Sequence, residues 1–471
     1  MSVKDKKITE VVVKGEGLNE SLKIRQIIMV GVGGTIGTGM FLGSGYVLSQ
    51  AGPGGAILAY LIAGLVMWLM MMCLGELSTA MPVSGSIQAY ATEYINRAMG
   101  FTVGWVNWLA CAMTITAQIV ASAIIMKNII PSVPTIVWVI VFAVLLIGVN
   151  ALNANQFGEA SFWFASLKLI LIVTFTIIGI AIICGAAGNN AVGFSGIEEN
   201  GGWFPKGFGV IVTTLLTTVY AYGGSELFAS GGSEMKNKKD MPKAVHATTW
   251  ILIGCYLVAI VILSMILPYG QADLLGSPFA YVFKDAGIAG AELIVNIIIL
   301  TSALSSGNYF VYACSRYLWS LAKYNQAPKV LAKVNKRKVP MPALIVTMAF
   351  AALSIVCSFV AEDTVYLFLM HIIGGSNIFI YSIVCIAQIR FRRQYLAGGG
   401  KLEDLGYKTP LFPLVPILGI LAYFLVLVGT VSDPSQRVSI FICVPAYVLI
   451  YIGFYIYTKK KSTKAANITM E

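Results

Sequence analysis

Five glycines fall within residues 31–39, inside an apolar stretch that is long enough to cross a membrane. Each glycine costs a helix about 1 kcal/mol relative to alanine, so these residues propagate a helix poorly. Small residues also let two helices pack closely, which is the alternative use of the same glycines. Their density, with Thr35 and Thr38 between them, favours a broken helix whose free N–H groups bind an anion, aided by the dipole of a half-helix.

A second apolar stretch is interrupted at residues 220–226, where Gly223 and Gly224 precede Glu226. Glu226 is the only acid that we place well inside an apolar stretch. A carboxylate at the centre of a membrane costs about 2.5–3.5 kcal/mol on insertion scales, which makes it a functional candidate. The alternative is a structural hydrogen bond to the interrupted helix. Other acids lie in loops or near the ends of apolar stretches, including Glu76, Glu159, Glu234 and Glu292.

One basic residue, Lys168, lies in the middle third of an apolar stretch. A lysine can reach the membrane surface only from near the end of a span, so this position predicts a role inside the protein. Asn308 gives a weaker signal, and we expect it to line a site. His371 could titrate near neutral pH, although packing is the favoured interpretation.

The eight cysteines all fall in apolar stretches, without CxxC spacing and without clustered histidines. Such cysteines act as small apolar residues in helices. We therefore predict no disulfide, no metal site and no cofactor.

The composition is that of a membrane protein. Of 471 residues, 58% are hydrophobic and only 11% are charged, against about 25% charged in an average soluble domain. These values exclude a cytosolic enzyme, a disordered chain and a nucleic-acid-binding protein. Continuous rather than alternating apolar runs exclude an outer-membrane barrel. The predicted class is an all-α protein with many spans in the lipid bilayer.

A spanning helix needs about 20 mostly apolar residues, and twelve stretches qualify. They cover residues 24–50, 54–80, 98–126, 134–152, 159–185, 206–230, 243–267, 286–322, 342–359, 364–389, 412–431 and 438–457. The polar tail 1–23 has no apolar core or cleavage site, so we do not expect a cleaved signal peptide.

The basic residues predict the orientation of the chain, because cytoplasmic loops carry an excess of Lys and Arg. With twelve spans, 27 of the 32 basic residues lie on the side of the two termini, including Arg316 and Arg392 in the loops after spans eight and ten. Four lie opposite, namely Lys127, Lys206, Lys284 and Arg437. The tails 1–23 and 458–471 are therefore predicted to be cytoplasmic.

The two interrupted spans are the first and the sixth, five spans apart. This spacing predicts two inverted repeats of five helices, residues 24–185 and 206–389, with a binding site at their interface. Residues 412–457 would add spans eleven and twelve.

Several short motifs resemble those of a known family. They are Gly33-Gly-Thr-Ile-Gly-Thr-Gly39, Ala51-Gly-Pro-Gly54, Leu74-Gly-Glu-Leu77, Pro82-Val-Ser-Gly-Ser86, Gly224-Ser-Glu-Leu227 and Pro242-Lys-Ala-Val245. In order and spacing, over about residues 22–457, they resemble bacterial amino-acid permeases of the amino acid–polyamine–organocation superfamily, and most of all its lysine-permease branch. The resemblance implies the five-plus-five inverted-repeat fold and secondary transport of an amino acid.

The resemblance also assigns roles to residues of the two breaks. N–H groups around Gly37, Thr38 and Gly39 would take the substrate carboxylate. Carbonyls near Thr35, Tyr220, Ala221 and Gly223 would take its ammonium group. Tyr220 and Tyr222 match the position of an aromatic gate.

Three further positions match functional positions of the family. Lys168 matches a lysine that takes the place of sodium in proton-coupled members, and Glu226 matches a carboxylate found whatever the substrate. Gln118 stands where several members carry an acid near the substrate, so their substrate preferences do not transfer directly.

The predicted function is proton-coupled amino-acid uptake across the cytoplasmic membrane by alternating access. An exchanger without ion coupling is the alternative, and Lys168 argues against sodium coupling. A channel would need repeated filter segments, and an enzyme would need a nucleophile–base pair or clustered ligands; neither pattern is present in the sequence. The predicted partners are the amino acid, the proton and lipid; the sequence names neither the amino acid nor a protein partner.

Overall fold

The computed structural model describes residues 20–151, 154–186, 197–198, 201–271, 278–287, 290–357, 362–434 and 436–468. These residues are helices and their connections, apart from one isolated pairing of extended residues, Leu22 with Met235. Most of the predicted N-terminal tail and the last three residues of the predicted C-terminal tail lie outside the described residues.

The helices follow one another along the chain with short connections. The first are α1 (Ile24–Thr35), α2 (Thr38–Phe41), α3 (Gly43–Ala80), α4 (Ile87–Tyr94), α5 (Arg97–Ile129), α6 (Thr135–Asn150), α7 (Ala154–Ile183), α8 (Gly209–Ala221) and α9 (Leu227–Ser230). The others are α10 (Met241–Ile266), α11 (Pro278–Asp285), α12 (Ala291–Lys323), α13 (Met341–Ala351), α14 (Leu353–Cys357), α15 (Glu362–Ala397), α16 (Leu414–Ser432) and α17 (Arg437–Ile468).

The described part of the chain contains eight helices that are long and apolar enough to cross a membrane, within α3, α5, α7, α10, α12, α15, α16 and α17. Three shorter apolar helices lie at Thr135–Asn150, Gly209–Ala221 and Met341–Ile355. Large apolar side chains cover the outside, with Trp163 69% and Leu449 70% exposed. Such a surface is stable only in lipid, so the protein is a multi-pass membrane protein.

The end of the first predicted span and the second predicted span form one kinked helix, α3. At the kink, Gly52 has φ +72° and ψ 177°, and Pro53 follows it. A positive φ favours glycine, and proline has no N–H to donate, so the helical path breaks locally here. The Gly54 N–H beyond the kink donates instead to the Trp203 carbonyl at 2.8 Å.

Helices α4 and α11 were not predicted. Both are eight residues long and lie in connections, α4 after the second predicted span and α11 before the eighth. Eight residues are too few to cross a membrane, so neither helix gives the long apolar stretch that predicts a span. Helices α15 and α17 each continue about ten residues beyond the ends predicted for spans ten and twelve.

The broken helices lie at the centre of the protein. Helix α1 packs against α7, α10 and α12, while α8 packs against α3, α15 and α16. The six residues of α1 from Val30 to Thr35, together with Gln26 and Ile27, are fully or almost fully buried. This burial allows the freed backbone groups of the breaks to be met by protein groups rather than lipid.

Candidate functional site

The two helix breaks are present, and they touch each other. Helix α1 ends at Thr35, and α2 begins at Thr38. Helix α8 ends at Ala221, and Gly224 follows it with φ +99°. A Cβ on Gly224 would lie 3.1 Å from backbone atoms of Gly34, so glycine at this point permits both the turn and the close approach.

A small cavity of about 20 Å³ lies between the two breaks. Of the predicted site residues, seven line it: Thr35, Gly39, Gln118, Tyr220, Ala221, Gly223 and Glu226. A space of this size holds about one water molecule. An amino acid needs more room, so the walls must separate before one can bind there.

Gly37 and Thr38 lie beside the cavity rather than on its wall. A Cβ on Gly37 would lie 2.9 Å from Ser306 Oγ and 3.1 Å from Gln118 Nε2. The Thr38 side chain is fully buried and lies next to the hydroxyls of Tyr220 and Tyr366. These residues form the packed layer next to the first break.

Lys168 reaches the first break from α7. Its Nζ donates to the Gly33 and Ile36 carbonyls, each at 2.6 Å, and the side chain is 1% exposed. The Ser302 hydroxyl donates to the same Ile36 carbonyl at 3.2 Å. Carbonyls that the break frees from helical hydrogen bonds are therefore satisfied by an ammonium and a hydroxyl.

The ring of Tyr309 lies beside this ammonium, 5.6 Å from Nζ to the ring centroid. A Cβ on Gly33 would lie 2.5 Å from that ring, so the glycine makes room for it. The Tyr309 hydroxyl donates to the Ser161 carbonyl on α7 at 2.5 Å. The position of Lys168 is thus fixed by α1, α7 and α12 together.

Glu226 lies in the second break and is 3% exposed. Its Oε2 accepts hydrogen bonds from the Gly224 N–H at 3.0 Å and from the Tyr381 hydroxyl at 2.7 Å. The hydrogen-bond partners described for this carboxylate are uncharged. A carboxylate held this way, on a cavity wall, can gain or lose a proton or meet a cationic group of a ligand.

Sequence reasoning missed Tyr256, on α10. Its hydroxyl lies 2.9 Å from the Thr35 carbonyl and 3.0 Å from the Ala221 carbonyl, which are the last residues of the two half-helices α1 and α8. A hydroxyl has one proton, so it donates to one carbonyl at a time. A tyrosine in an apolar stretch carries no signal of such a contact.

The two predicted gate tyrosines occupy different surroundings. Tyr220 lies on the cavity wall. Tyr222 points away from it, and its hydroxyl donates to the Tyr60 carbonyl at 3.3 Å while its ring packs on Tyr256 with 4.7 Å between centroids.

Two amide side chains on α5 present unpaired polar atoms at the cavity. No hydrogen-bond partner from the described residues reaches Gln118 Oε1 or Asn107 Nδ2, although both atoms are buried. Buried polar atoms are almost always paired, so a ligand or water is the natural partner here. Asn107 was not predicted, and neither was Asn377 on α15, which also lines the cavity.

Asn308 and His371 lie away from the cavity wall. Asn308 accepts a hydrogen bond from Asn150 Nδ2 at 2.6 Å, which joins α12 to α6. His371 is 7% exposed on α15, and none of the described residues pairs with its Nε2.

Two buried ion pairs were also missed. Arg316 donates to Glu234 at 2.5 and 3.2 Å, and the Tyr312 hydroxyl donates to the same carboxylate at 2.7 Å. Arg392 pairs with Glu76. We expected both arginines in loops, but they lie inside α12 and α15, because buried acids satisfy them, Glu76 on α3 and Glu234 in the segment after α9.

The segment before α1 pairs with the segment after α9. The Leu22 N–H donates to the Glu234 carbonyl at 3.0 Å, and the Lys236 N–H donates to the Leu22 carbonyl at 2.9 Å. Ser233, next to them, shares a short hydrogen bond with Ser84. Main-chain bonds thus connect the two broken spans on the side where α1 begins.

Among the described residues, no group of three or more His, Cys, Asp or Glu could hold a metal ion. Seven of the eight cysteines have side chains that the structure describes, and these seven are free thiols.

Residues 26–467 match the amino acid permease family. The amino-acid permease RocC of Bacillus subtilis (strain 168) is 39% identical over 450 residues, 94% of this chain and 96% of that protein. The lysine-specific permease LysP of Escherichia coli (strain K12) is 34% identical over 456 residues, 93% of each chain. The histidine permease HisP of Lactococcus lactis subsp. cremoris (strain MG1363) is 32% identical over 454 residues, 93% of this chain and 94% of that protein.

These relatives are named as permeases, which are transporters rather than enzymes, and they confirm the resemblance seen in the sequence motifs. With its apolar multi-pass helices and a cavity between two broken helices, the chain belongs to the amino acid permease family, whose members carry amino acids across membranes.

Proposed function

We propose that the protein is a proton-coupled amino-acid symporter of the cytoplasmic membrane that works by alternating access. In this proposal it has twelve spans in two inverted repeats of five plus two added helices, with both termini in the cytoplasm. The three shorter apolar helices and the broken first span complete the count of twelve.

The observation that carries the proposal is the position of Lys168. Its ammonium group holds α7 against the break in α1 through the Gly33 and Ile36 carbonyls. Loss of its proton would remove the charge from these hydrogen bonds and weaken them. Protonation would therefore bias the conformation of the first break, which is also where the substrate is expected.

The substrate would bind between the two breaks. Its carboxylate would meet N–H groups around Gly37, Thr38 and Gly39, and its ammonium group would meet carbonyls near Thr35, Tyr220, Ala221 and Gly223. Coupling follows if proton and substrate both favour the same arrangement of the first break. One proton supplies about 2.3 kcal/mol per 100 mV of membrane potential, or roughly fiftyfold accumulation.

The test is transport by the purified protein in proteoliposomes with an imposed pH gradient. Lys168→Ala should lose accumulation driven by the gradient and keep downhill counterflow, because it mimics one protonation state only. The matched control is Lys206→Ala, since Lys206 also donates to a backbone carbonyl, that of Ser49 at 2.8 Å, but from an exposed position. An alanine variant at Lys168 that still concentrates substrate would show that the proton is carried elsewhere, with Glu226 and His371 the next groups to test.

The second candidate function is amino-acid exchange without ion coupling, which the same fold would also allow. It predicts counterflow of the wild-type protein that does not respond to an uncoupler. Loss of accumulation on addition of an uncoupler would instead support the symporter.

The substrate itself is best identified by competition. The relatives are named for lysine and for histidine, among others. Among the described residues that line the cavity, Glu226 is the only acid. A panel of the twenty amino acids competing with one labelled substrate would show whether cationic side chains are preferred.

A further inference from the structure

A second and much larger cavity opens on the outside of the protein. We call it the lipid-side cleft; its volume is about 420 Å³, within the roughly 300–1,000 Å³ usual for small-molecule sites, and it is lined by residues of α5, α15, α16 and α17. It is separate from the cavity between the two breaks.

The lipid-side cleft has a buried floor and an exposed rim. On the floor, Tyr423 is 1% and Cys443 4% exposed. On the rim, Phe424 is 58% and Val448 49% exposed. Helices α16 and α17 are both long and apolar enough to cross the membrane, so the rim faces the bilayer and the floor lies deeper inside the protein.

The cleft offers almost no polar group to a ligand. The Thr102 and Ser382 hydroxyls donate to carbonyls of their own helices at 2.9 and 2.7 Å. The Tyr447 hydroxyl shares a hydrogen bond of 2.6 Å with Ser376. The remaining hydroxyls of the lining are those of Tyr423 and Tyr451. A strongly polar or charged molecule would lose its hydration here for few partners, so the cleft favours a flexible apolar ligand.

We propose that the lipid-side cleft is a binding site for one acyl chain of a membrane lipid, and that the chain influences the substrate site. Lipid tails are the apolar groups present wherever these helices fold. A gap next to apolar walls forfeits dispersion contacts that a flexible chain can restore. A second copy of this protein would present rigid helices, which fill a concave cleft less well.

The floor of the lipid-side cleft is connected to the substrate site through two side-chain contacts. The Tyr423 ring lies 5.7 Å from the Tyr381 ring, centroid to centroid. The Tyr381 hydroxyl in turn donates to Glu226 at 2.7 Å. An acyl chain packed on Tyr423 would therefore steady the group that positions the carboxylate on the cavity wall.

The first test maps the bound chain and does not depend on transport. The full-length protein is reconstituted with phosphatidylglycerol that carries a photoactivatable diazirine within one acyl chain, and adducts are located by mass spectrometry. We expect at least fivefold more adducts on Tyr423, Cys443 and Tyr447 than on Leu449, which is 70% exposed and lies outside the cleft. Equal labelling of the floor and Leu449 would overturn the proposal, and so would protein–protein cross-links that replace the lipid adducts.

The second test fills the cleft. Val448→Trp places a large ring at the rim, and Leu449→Trp, its neighbour outside the cleft, is the matched control. We expect Val448→Trp to lower floor labelling about tenfold and to change the KM of amino-acid uptake about threefold or more, with both values unchanged in Leu449→Trp. Floor labelling that persists in Val448→Trp and in Cys443→Trp would overturn the site, and an unchanged KM despite lost labelling would overturn its influence on Glu226.

Discussion

The hydroxyl of Tyr256 lies 2.9 Å from the carbonyl oxygen of Thr35, the last residue of the first half-helix. It lies 3.0 Å from the Ala221 carbonyl, which ends the other half-helix. The first contact alone would cap one helix end. Because both contacts use the same hydroxyl on α10, they can form together only when the two breaks are this close to each other.

Replacing Tyr256 with phenylalanine should weaken the site. The ring contacts with Tyr222 and Tyr60 remain, but two buried carbonyls lose their shared donor. An unsatisfied buried group costs about 1–3 kcal/mol, which corresponds to a loss of about 5- to 150-fold if it falls on substrate affinity. Binding to the purified variant measures this loss.

Tyr60→Phe is the matched control for Tyr256→Phe. Tyr60 is equally buried, and its hydroxyl has no hydrogen-bond partner among the described residues. Its removal should leave affinity unchanged. Equal effects of the two substitutions would show that the rings, and not the hydroxyl bridge, matter.

Glu226→Gln should keep expression and lose most uptake, about tenfold or more. The amide is equal in size and still accepts a hydrogen bond, so the change removes charge and proton affinity alone. Tyr381→Phe should produce a smaller loss, and the double variant should be no worse than Glu226→Gln because both act through one hydrogen bond. Initial uptake rates compare them.

Glu159→Gln serves as the control for the charge change. Glu159 pairs with Arg25 at 2.6 Å, and its side chain is 38% exposed, so its contribution is small. Full uptake by Glu226→Gln, with an unaltered dependence on external pH, would leave Glu226 a structural role only.

Gly39→Ala should abolish substrate binding without preventing membrane insertion. The added Cβ would lie 2.9 Å from Ala221 Cα, a backbone atom, and so it forces the half-helices apart. Gly37→Val should act in the same direction, but its Cβ meets the side chains of Ser306 and Gln118, which can shift. Binding assays on detergent-solubilised variants test the order of severity.

Gly254→Ala is the control, because a Cβ there meets nothing within 4 Å. It should retain wild-type affinity. Wild-type affinity in Gly39→Ala as well would contradict a substrate site between the breaks.

Arg316→Met should destabilise the protein strongly. It leaves the buried Glu234 carboxylate without its cation, which costs about 3–5 kcal/mol. Lys243→Met breaks an exposed pair with Asp240, in which the lysine is 77% exposed, and should cost less than about 1 kcal/mol. Thermal unfolding in detergent compares them, and equal midpoints would refute a stabilising role for the buried pair.

The breaks and Lys168 could be predicted because their residue types conflict with their surroundings. Glycines in a membrane helix and a lysine far from either membrane surface both require an explanation within the protein. Six of the seven predicted residues on the cavity wall belong to the two breaks or to the helix ends beside them, and the seventh, Gln118 on α5, was predicted from the family resemblance.

The remaining site residues could not be predicted because their roles depend on partners distant in sequence. Tyr256 is separated from Thr35 by 221 positions, and Arg316 from Glu234 by 82. In the sequence, a buried arginine looks like an arginine in a loop when its acid partner is distant along the chain. The sequence gives no signal for Asn107, because nothing in α5 indicates which face of that helix lines the cavity.

The main-chain pairing of Leu22 with residues 234 and 236 ties the start of the first broken span to the end of the second broken span. Opening one without the other would break two backbone hydrogen bonds at once. In the proposed alternating-access cycle, a passage on this side would therefore require both half-helices to move together, with the two glycine-rich breaks as the hinges.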